Sequence, residues 1–550
     1  MKLSLRIITG ILACLALSAA AAIWATGYID SLYNYRSPLH ADPPAPGEAL
    51  GRPITRRVVF VLIDALRLDT SLQSGIMPFL NSLRQQGAWA TMHSQPPSYS
   101  QPGYSVLLSG AWPELSDGPA MNLPYESIPT WTQDNLFSAA HRSGLQTAVA
   151  GYYWFEKLIP QVAVTHSFYT TGEDQAADRQ VVAAAIPWLE AGSDQLVLIH
   201  IDQVDYAGHH EGGPIDPRWE AAARRADELL RSIAASLDLS QDTLLVASDH
   251  GQIDRGGHGG DEPVTLREPL VLTGAGVKPG HYRDVNMVDV APILAVMLGL
   301  NLPATSQGKA QVGMLALSPA QLEAIRQAEQ AQQSRLVSAY QQAIGWTVLV
   351  KDSTMGVTAY QDAMQAARAA RTQAERWRRI PLALVAGLSP ALILIRRHTR
   401  RKAWGELAWL MGSAGLYLLL FNLFYARLDR QTYSLSALSG TGQVLRDFLL
   451  NGVFTLAIGW LAAFSGLKLW RRSPASATEA SLGFIGLTLY GLALPILWSY
   501  GMNGAQVSWR LPDFPSSFLA FLALTQVVVA SIAGLFLTGM AALLASMYRR

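Results

Sequence analysis

The sequence predicts an α/β domain, a largely parallel sheet flanked by helices, between an N-terminal transmembrane helix and a C-terminal bundle of about five more. Three observations lead there. Half of the 550 residues are hydrophobic and only 15% are charged, a balance that places part of the chain in a membrane. Between residues 58 and 276, short continuous apolar runs rich in β-formers recur, the pattern of strands buried on both faces of a sheet. Apolar runs near spanning length sit at the start of the chain and after residue 380.

Composition removes some function classes. A net charge of +1 predicts no nucleic-acid polymer as partner. The single cysteine, Cys14, excludes an intramolecular disulfide framework and any multi-cysteine metal cluster. Its setting, ILAC, faintly resembles a lipoprotein cleavage site, but the apolar run continues past it.

Residues 1–30 read as a signal anchor: Lys2 and Arg6 precede an apolar run over 6–29, with Trp24 and Tyr28 placed as an interfacial belt. The small residues 18–22 leave a cleaved signal peptide as the alternative. Residues 31–55, rich in proline and glycine, form a linker. The α/β domain covers 56–313, with strands expected at 58–64, 147–153, 196–202, 243–249 and 269–276. Asp216 and Pro217 open a helix running through Ile233. Ser318, Pro319 and Gln321 form a capping-box pattern at the start of a helical stalk over 314–379, with a break near 351–356. The remaining spans are expected at 380–395, 403–425, 448–470, 482–500 and 518–546. The basic residues Arg396, Arg397, Arg400, Arg401 and Lys402, then Lys468, Arg471 and Arg472, fit six crossings with both termini cytoplasmic and the α/β domain periplasmic or otherwise extracytoplasmic. Arg376, Arg378 and Arg379 are the exception to that pattern.

The chemistry-bearing residues cluster at strand ends. Asp64 ends VVFVLID, at the rim where open α/β sheets bind ligands, although it could also cap a helix. In PPSYSQPGYSVLLSG, Ser98 and Ser100 precede a helix-like run whose N-terminus would favour an alkoxide; an ordinary turn is the plain alternative. LVLIHID leads into QVDYAGHHEGGP, where Asp205 and His209, four apart, could face one ion, with His210 as rival. The following glycines and Pro214 favour an ordered loop over a helix interior there. TLLVASDHGQIDRGGHGG supplies Asp249, His250 and His258. Asp64, a serine, Asp205, His209, Asp249, His250 and His258 make a mixed oxygen and imidazole set for two divalent ions, most simply zinc, with manganese or magnesium as alternatives. Two ions about 4 Å apart suit an in-line phosphoryl displacement.

The order IDALR, PSYSQPGY with LSG and PE, VDYAGHHEGG, then SDHG and GGHGG resembles the alkaline phosphatase superfamily. Within it, the sequence is similar to the type I phosphodiesterase/nucleotide pyrophosphatase group and the glycosylphosphatidylinositol ethanolamine phosphate transferases, over about residues 56–312. The resemblance implies an alkaline-phosphatase-like fold, with Ser100 as nucleophile and Ser98 supporting it. It implies Asp64, Ser100, Asp249 and His250 around one ion and Asp205, His209 and His258 around the other. Asn122 matches the asparagine that steadies phosphoryl oxygens, with a spacing one residue longer. The implied activity proceeds through a phospho-serine, which water or an acceptor alcohol then resolves. The five C-terminal spans exceed what an anchor needs and point to a lipid or lipid-linked phosphodiester substrate handled at the plasma or inner membrane. The alternatives are an extracytoplasmic nucleotide pyrophosphatase, phosphodiesterase or phosphatase, and a non-catalytic membrane protein. Ligand-capable side chains at all seven positions argue against the last.

Overall fold

The computed structural model describes residues 5–349, 356–401, 404–438 and 441–549. It divides into two compact units. One comprises Tyr33–Thr372 with Ser508–Leu511; the other holds the chain before Tyr33, Gln373–Val507 and the chain from Pro512 onward.

The first unit is built on a nine-stranded sheet. Its strands are β1 (Arg57–Ile63), β2 (Ala88–His93), β3 (Thr147–Tyr152), β4 (His166–Thr170), β5 (Leu196–Ile201), β6 (Asp242–Ala247), β7 (Arg267–Gly274), β8 (Gly280–His281) and β9 (Val285–Asn286). They run in the order β4-β3-β5-β1-β6-β7-β2-β8, with β9 also on β2. From β4 to β6 every pairing is parallel, and β7 is antiparallel to both its neighbours. The expected class, a largely parallel sheet flanked by helices, is what the chain adopts. Alternate residues of β1 feed two cores: Val58, Phe60 and Leu62 pack on one face, and Val59, Val61 and Ile63 on the other. Burial on both faces is the reason this strand reads as an unbroken apolar run.

All five expected strands are present. Two longer ones went unread: β2 (AWATMH) is half-buried at every second residue, and β4 exposes His166 and Ser167, so neither carries a continuous apolar signal. The helix Pro217–Ala235 begins as anticipated, the Asp216 carboxylate accepting the Arg218 N–H.

The expected stalk needs revision: most of it packs into the first unit, Ala363, Met364 and Ala367 of its later stretch included. Helix Pro319–Ala343 starts at the Ser318/Gln321 capping box, but its Leu336, Val337 and Tyr340 are buried against Leu39 and Leu115. The Gln332 and Gln333 side-chain amides donate to the Ser306 carbonyl. Buried glutamines satisfied by backbone made a packed helix look polar. Leu39, in the expected linker, is likewise fully buried. The expected break near 351–356 falls almost wholly outside the described residues.

Among the described residues, six helices are long and apolar enough to cross a membrane: Leu5–Tyr33, Val357–Arg396, Trp404–Leu428, Arg446–Gly466, Pro474–Asn503 and Phe514–Tyr548. The short run expected over 380–395 is the later part of a 45-residue helix, Val357–Arg401, with Pro381 and Pro390 inside it. Leu382, Val385, Leu392 and Phe536 leave more than half their surface uncovered, which suits side chains facing lipid rather than water.

Candidate active site

Three strand ends place the site. β1 lies between β5 and β6, with Ile63 level with Ile201 and Leu62 level with Ala247. Asp64, Asp202 and the pair Asp249-His250 therefore leave the sheet side by side. After Asp64 the backbone turns through Ala65, which holds a left-handed conformation (φ 57°) unusual for a residue with a Cβ. The turn presents the Ala65 N–H to Asp249 Oδ1 at 3.3 Å and the Leu66 N–H to Ser248 Oγ at 2.9 Å.

His250 Nε2 lies 3.4 Å from Asp64 Oδ1, 3.4 Å from Asp249 Oδ2 and 3.2 Å from Ser100 Oγ. Ser100 is the first residue of helix Ser100–Ser109, so its hydroxyl sits at the positive end of the helix dipole. This helix can approach because residue 103 is glycine: a Cβ there would lie 2.8 Å from Asp249 Cβ and 3.0 Å from its carbonyl oxygen.

Asp205 and His209 lie one turn apart on helix Gln203–His210, their Oδ2 and Nε2 3.2 Å apart. This corrects the ordered loop expected here. The Asp178 carboxylate accepts the N–H groups of Asp202 and Gln203 and starts the helix. His258 Nε2 is 2.9 Å from His209 Nε2 and 3.6 Å from Asp205 Oδ1. Its ring stacks on His250, with centroids 4.0 Å apart, which joins the two groups. His210 is turned over Tyr206, while the His209 ring reaches Asp205, so His209 is the histidine that faces Asp205. Ser98 ties down the loop that bears His258: its Oγ donates to the Gly260 carbonyl and accepts the Gly259 N–H, while its carbonyl is 3.0 Å from His258 Nδ1. Asn122 Oδ1 accepts the Gln101 N–H at 3.0 Å, one residue from Ser100.

All seven expected ligand positions thus converge. Three residues that were not expected join them. His200 Nε2 is 3.0 Å from Asp64 Oδ2, the Tyr104 hydroxyl donates to the same oxygen, and Asp202 closes a third group with Asp64 and His200. The signal was present: a histidine near the end of an otherwise apolar strand, followed by an aspartate. It was absorbed into the strand pattern.

The electrostatics call for cations. Asp64 Oδ1 and Asp249 Oδ2 are buried and make no hydrogen bond. Burial, then the carboxylates of Asp64 and Asp205, push the Asp249 pKa well up; the same two carboxylates and burial act on Asp202. Burial also works against the charge on Asp205, but His209, His258 and His250 hold its pKa far down. The Asp205 carboxylate lifts the His209 pKa to about 9, whereas burial and the neighbouring His250 push His258 well down. Two imidazole nitrogens meeting at 2.9 Å need a proton or a metal ion between them. In Asp64–Asp249–His250, in Asp205–His250–His258 and in Asp64–His200–Asp202, the ligand atoms lie within 4.8 Å of one another. Orphaned carboxylate oxygens and converging imidazoles fit divalent metal ions.

The family model described as type I phosphodiesterase / nucleotide pyrophosphatase matches residues 58–334. The human protein "GPI ethanolamine phosphate transferase 2, catalytic subunit" is 29% identical over 297 residues, which cover 49% of this chain and 30% of that relative. The mouse protein "GPI ethanolamine phosphate transferase 3, catalytic subunit" is 27% identical over 281 residues, covering 46% and 25%. The chain therefore spans less than a third of the length of these curated relatives. A solved structure of human ectonucleotide pyrophosphatase / phosphodiesterase 5 aligns with 44% of this chain and 95% of its own, at 14% identity and a TM-score of 0.38. With the family model covering half of its length and spanning every residue of the site described above, the chain belongs to the type I phosphodiesterase / nucleotide pyrophosphatase family.

Proposed function

We propose that this protein is a membrane-bound, two-metal phosphoryl-transfer enzyme that moves or hydrolyses a phospho-alcohol head group from a lipid or lipid-linked phosphodiester; relatives named GPI ethanolamine phosphate transferases support the transfer of such a group. The observation that carries the reading is the Ser100 hydroxyl at a helix N-terminus, 3.2 Å from His250, with six further ligand-type side chains gathered beside it.

Asp64, Ser100, Asp249 and His250 would hold one ion, and Asp205, His209 and His258 the other; zinc suits this oxygen and imidazole set best. When bound, the ions supply Lewis acidity that favours the serine alkoxide and offsets phosphoryl charge. Ser100 Oγ attacks phosphorus; its bond to phosphorus forms as the bond to the leaving alkoxide breaks, and a phospho-serine results. Asn122, its Oδ1 engaged by the Gln101 N–H, keeps its amide N–H groups for a phosphoryl oxygen. The N-terminal end of helix Ser100–Ser109 favours the gathering negative charge through its dipole. The leaving alkoxide takes up the proton that Ser100 gave up and departs as the free alcohol. In the second step the oxygen of water or of an acceptor alcohol attacks phosphorus, the Ser100 Oγ–phosphorus bond breaks, and the proton lost by the attacking hydroxyl restores the serine. His200 and Tyr104 position Asp64, each bonded to its Oδ2.

Six crossings return the chain to its starting side. The basic residues after the second and fourth crossings then favour an extracytoplasmic α/β unit with both termini cytoplasmic. We assign residues 56–313 as the catalytic core on the same reading.

The test uses the full chain in detergent or nanodiscs, with bis(4-nitrophenyl) phosphate and labelled phosphatidylethanolamine. Ser100→Ala is expected to lower kcat by roughly a thousandfold or more and to abolish the covalent phospho-enzyme on intact-mass analysis. A Ser100→Ala protein that retains full activity would reject the mechanism. Release of free phosphoethanolamine without labelled acceptor would decide for hydrolysis over transfer.

A further inference from the structure

Within the first unit, a cavity of about 230 Å³ adjoins the residues around Ser100, and the phosphoryl chemistry above leaves it unused. Tyr33, Asn34 and Arg36 line one wall, and Leu123 and Ser127 the other. Prolines at 119, 124 and 129 frame the second wall. Each proline fixes its own φ, so this wall keeps its shape before a ligand arrives. Opposite, Tyr35 is buried and its hydroxyl donates to the Glu114 carbonyl at 2.9 Å, which anchors the segment that carries Arg36.

Both walls reach the immediate neighbours of Ser100. Gln101 holds Leu123 by both of its backbone groups: the side-chain Nε2 donates to the Leu123 carbonyl at 2.8 Å, and Oε1 accepts the Leu123 N–H at 3.0 Å. On the other side is Tyr99, whose ring meets His258 edge-on with centroids 5.4 Å apart. Burial raises the Tyr99 pKa, and the Tyr33 phenol adds to that effect, so Tyr33 stands within electrostatic reach of the residue before Ser100. Glu262 acts on Tyr99 as well but does not line the cavity. The cavity therefore begins at Leu123, one residue beyond Asn122, and extends towards the neighbourhood of Tyr99.

Its chemistry is that of an anion site. Arg36 is exposed, and among the described residues it has no carboxylate partner. None of the described residues lining the cavity is acidic. The guanidinium fork with the Tyr33 and Ser127 hydroxyls offers donors to several oxygens of one group, which suits a phosphate better than a carboxylate. The volume has room for roughly seven waters, more than a carboxylate fills. It also falls short of the roughly 300 Å³ at which pockets for drug-sized ligands begin, so the group is a small phosphate ester. In sequence, Arg36 comes three residues after the apolar helix Leu5–Tyr33 ends, a position from which a long side chain reaches lipid head groups.

We propose that Tyr33, Arg36 and Ser127 form a subsite for a second, non-reacting phosphate on the substrate, one that stays intact while Ser100 attacks the first. The preferred substrate class is then a phosphodiester that bears a further phosphate. This rests on the phosphoryl-transfer reading above and deepens it. Arg36 is a specificity residue, acting on KM and not on the chemical step.

The experiment uses the metal-loaded full chain in phosphatidylcholine nanodiscs. It compares 3-phosphopropyl 4-nitrophenyl phosphate with propyl 4-nitrophenyl phosphate, which lacks the second phosphate. In parallel, calorimetry measures propane-1,3-diyl bisphosphate and propyl phosphate binding to the Ser100→Ala protein. The expected result is a preference for the bisphosphorylated compounds of roughly 10-fold, carried by KM and by Kd. Arg36→Gln should remove most of it while leaving turnover of the propyl diester unchanged, which also shows that the variant folds. Arg36→Lys should keep part of it. Equal KM and equal binding for the two kinds of compound would overturn the proposal. So would a preference that survives Arg36→Gln, because the second phosphate would then sit on the metal ions. Repeating the comparison in phosphatidylglycerol nanodiscs, with both lipids at about 0.5 M salt to screen surface charge, separates a substrate phosphate from a lipid head group. Loss of the preference in phosphatidylglycerol alone would mean that a membrane lipid fills the cavity, and would overturn the assignment to the substrate. An Arg36-dependent binding preference, with no turnover of either diester by the unaltered protein, would support the subsite and reject the catalytic reading instead.

Discussion

Gly103→Ala tests whether the proposed nucleophile, Ser100, is held by packing against the strand end that carries Asp249. A Cβ at this position would lie 2.8 Å from Asp249 Cβ and 3.0 Å from Asp249 O. Neither atom is the free end of a flexible side chain, so helix Ser100–Ser109 and the 249–250 turn must separate by about 0.6 Å to reach ordinary contact. Overpacking on this scale costs about 1–3 kcal/mol, which lowers Tm by roughly 2–6 °C in a domain of this size. Ser100 sits one turn away on the same helix, and a displacement of this order at a reacting atom costs about 10- to 100-fold in kcat. The assay is hydrolysis of bis(4-nitrophenyl) phosphate beside thermal unfolding, with Gly75→Ala as the control, because a Cβ at 75 meets nothing within 4 Å. A Gly103→Ala protein with the kcat and Tm of the control would show that the register of this helix on Asp249 does not matter, and the assignment of Ser100 would lose its geometric basis.

Three further predictions concern the proposed ions. Chelation should lower Tm by on the order of 10 °C when the ions are present at about a thousand times their Kd. Asp249→Asn should raise Tm in the chelated protein, where it removes the cost of burying a carboxyl beside Asp64 and Asp205, and lower it in the metal-loaded one; the same sign in both states would mean that no cation sits there. Gln252→Leu should weaken metal binding by about 10- to 100-fold in a titration with a competing chelator. Its side chain donates to Asp205 Oδ1 at 2.7 Å and accepts from Trp219 Nε1 at 2.9 Å, so losing it frees Asp205 to turn; undiminished affinity would count against Asp205 as a ligand.

What could be read in the sequence follows from how locally each feature is encoded. β1, β5 and β6 were legible because burial on both faces leaves an unbroken apolar run, and their ends could be searched for ligands. Asp249, His250 and His258 stood out against glycines. β2 and β4, half-exposed near the sheet margins, were not legible, nor was the packed character of helix Pro319–Ala343, whose buried glutamines depend on the distant Ser306 carbonyl. The helix carrying Asp205 and His209 reads as a loop because it is short and contains Gly208. That glycine is required by a partner 44 positions on: a Cβ at 208 would lie 1.9 Å from Gln252 Oε1. His200 is masked for the opposite reason: it sits inside a strand whose other residues form an unbroken apolar run, and a lone histidine in such a run carries no local sign of a ligand.

The placement of the proposed ligands on strand ends bears on how the ions and the fold would depend on each other. Asp64, Asp202 and Asp249 follow three adjacent strands whose apolar residues are fully or almost fully buried, so their backbone positions are set by the sheet core rather than by the ions. The burial that fixes them also makes their shared charge costly, as the raised Asp202 and Asp249 show. A site assembled this way does not need metal to fold, unlike a small zinc domain. It needs metal to relieve a charge conflict that the sheet imposes. Metal-free protein should therefore keep its sheet, unfold at a lower temperature, and regain activity on adding ions without refolding. Loss of the far-ultraviolet dichroism of the sheet on chelation would contradict this account.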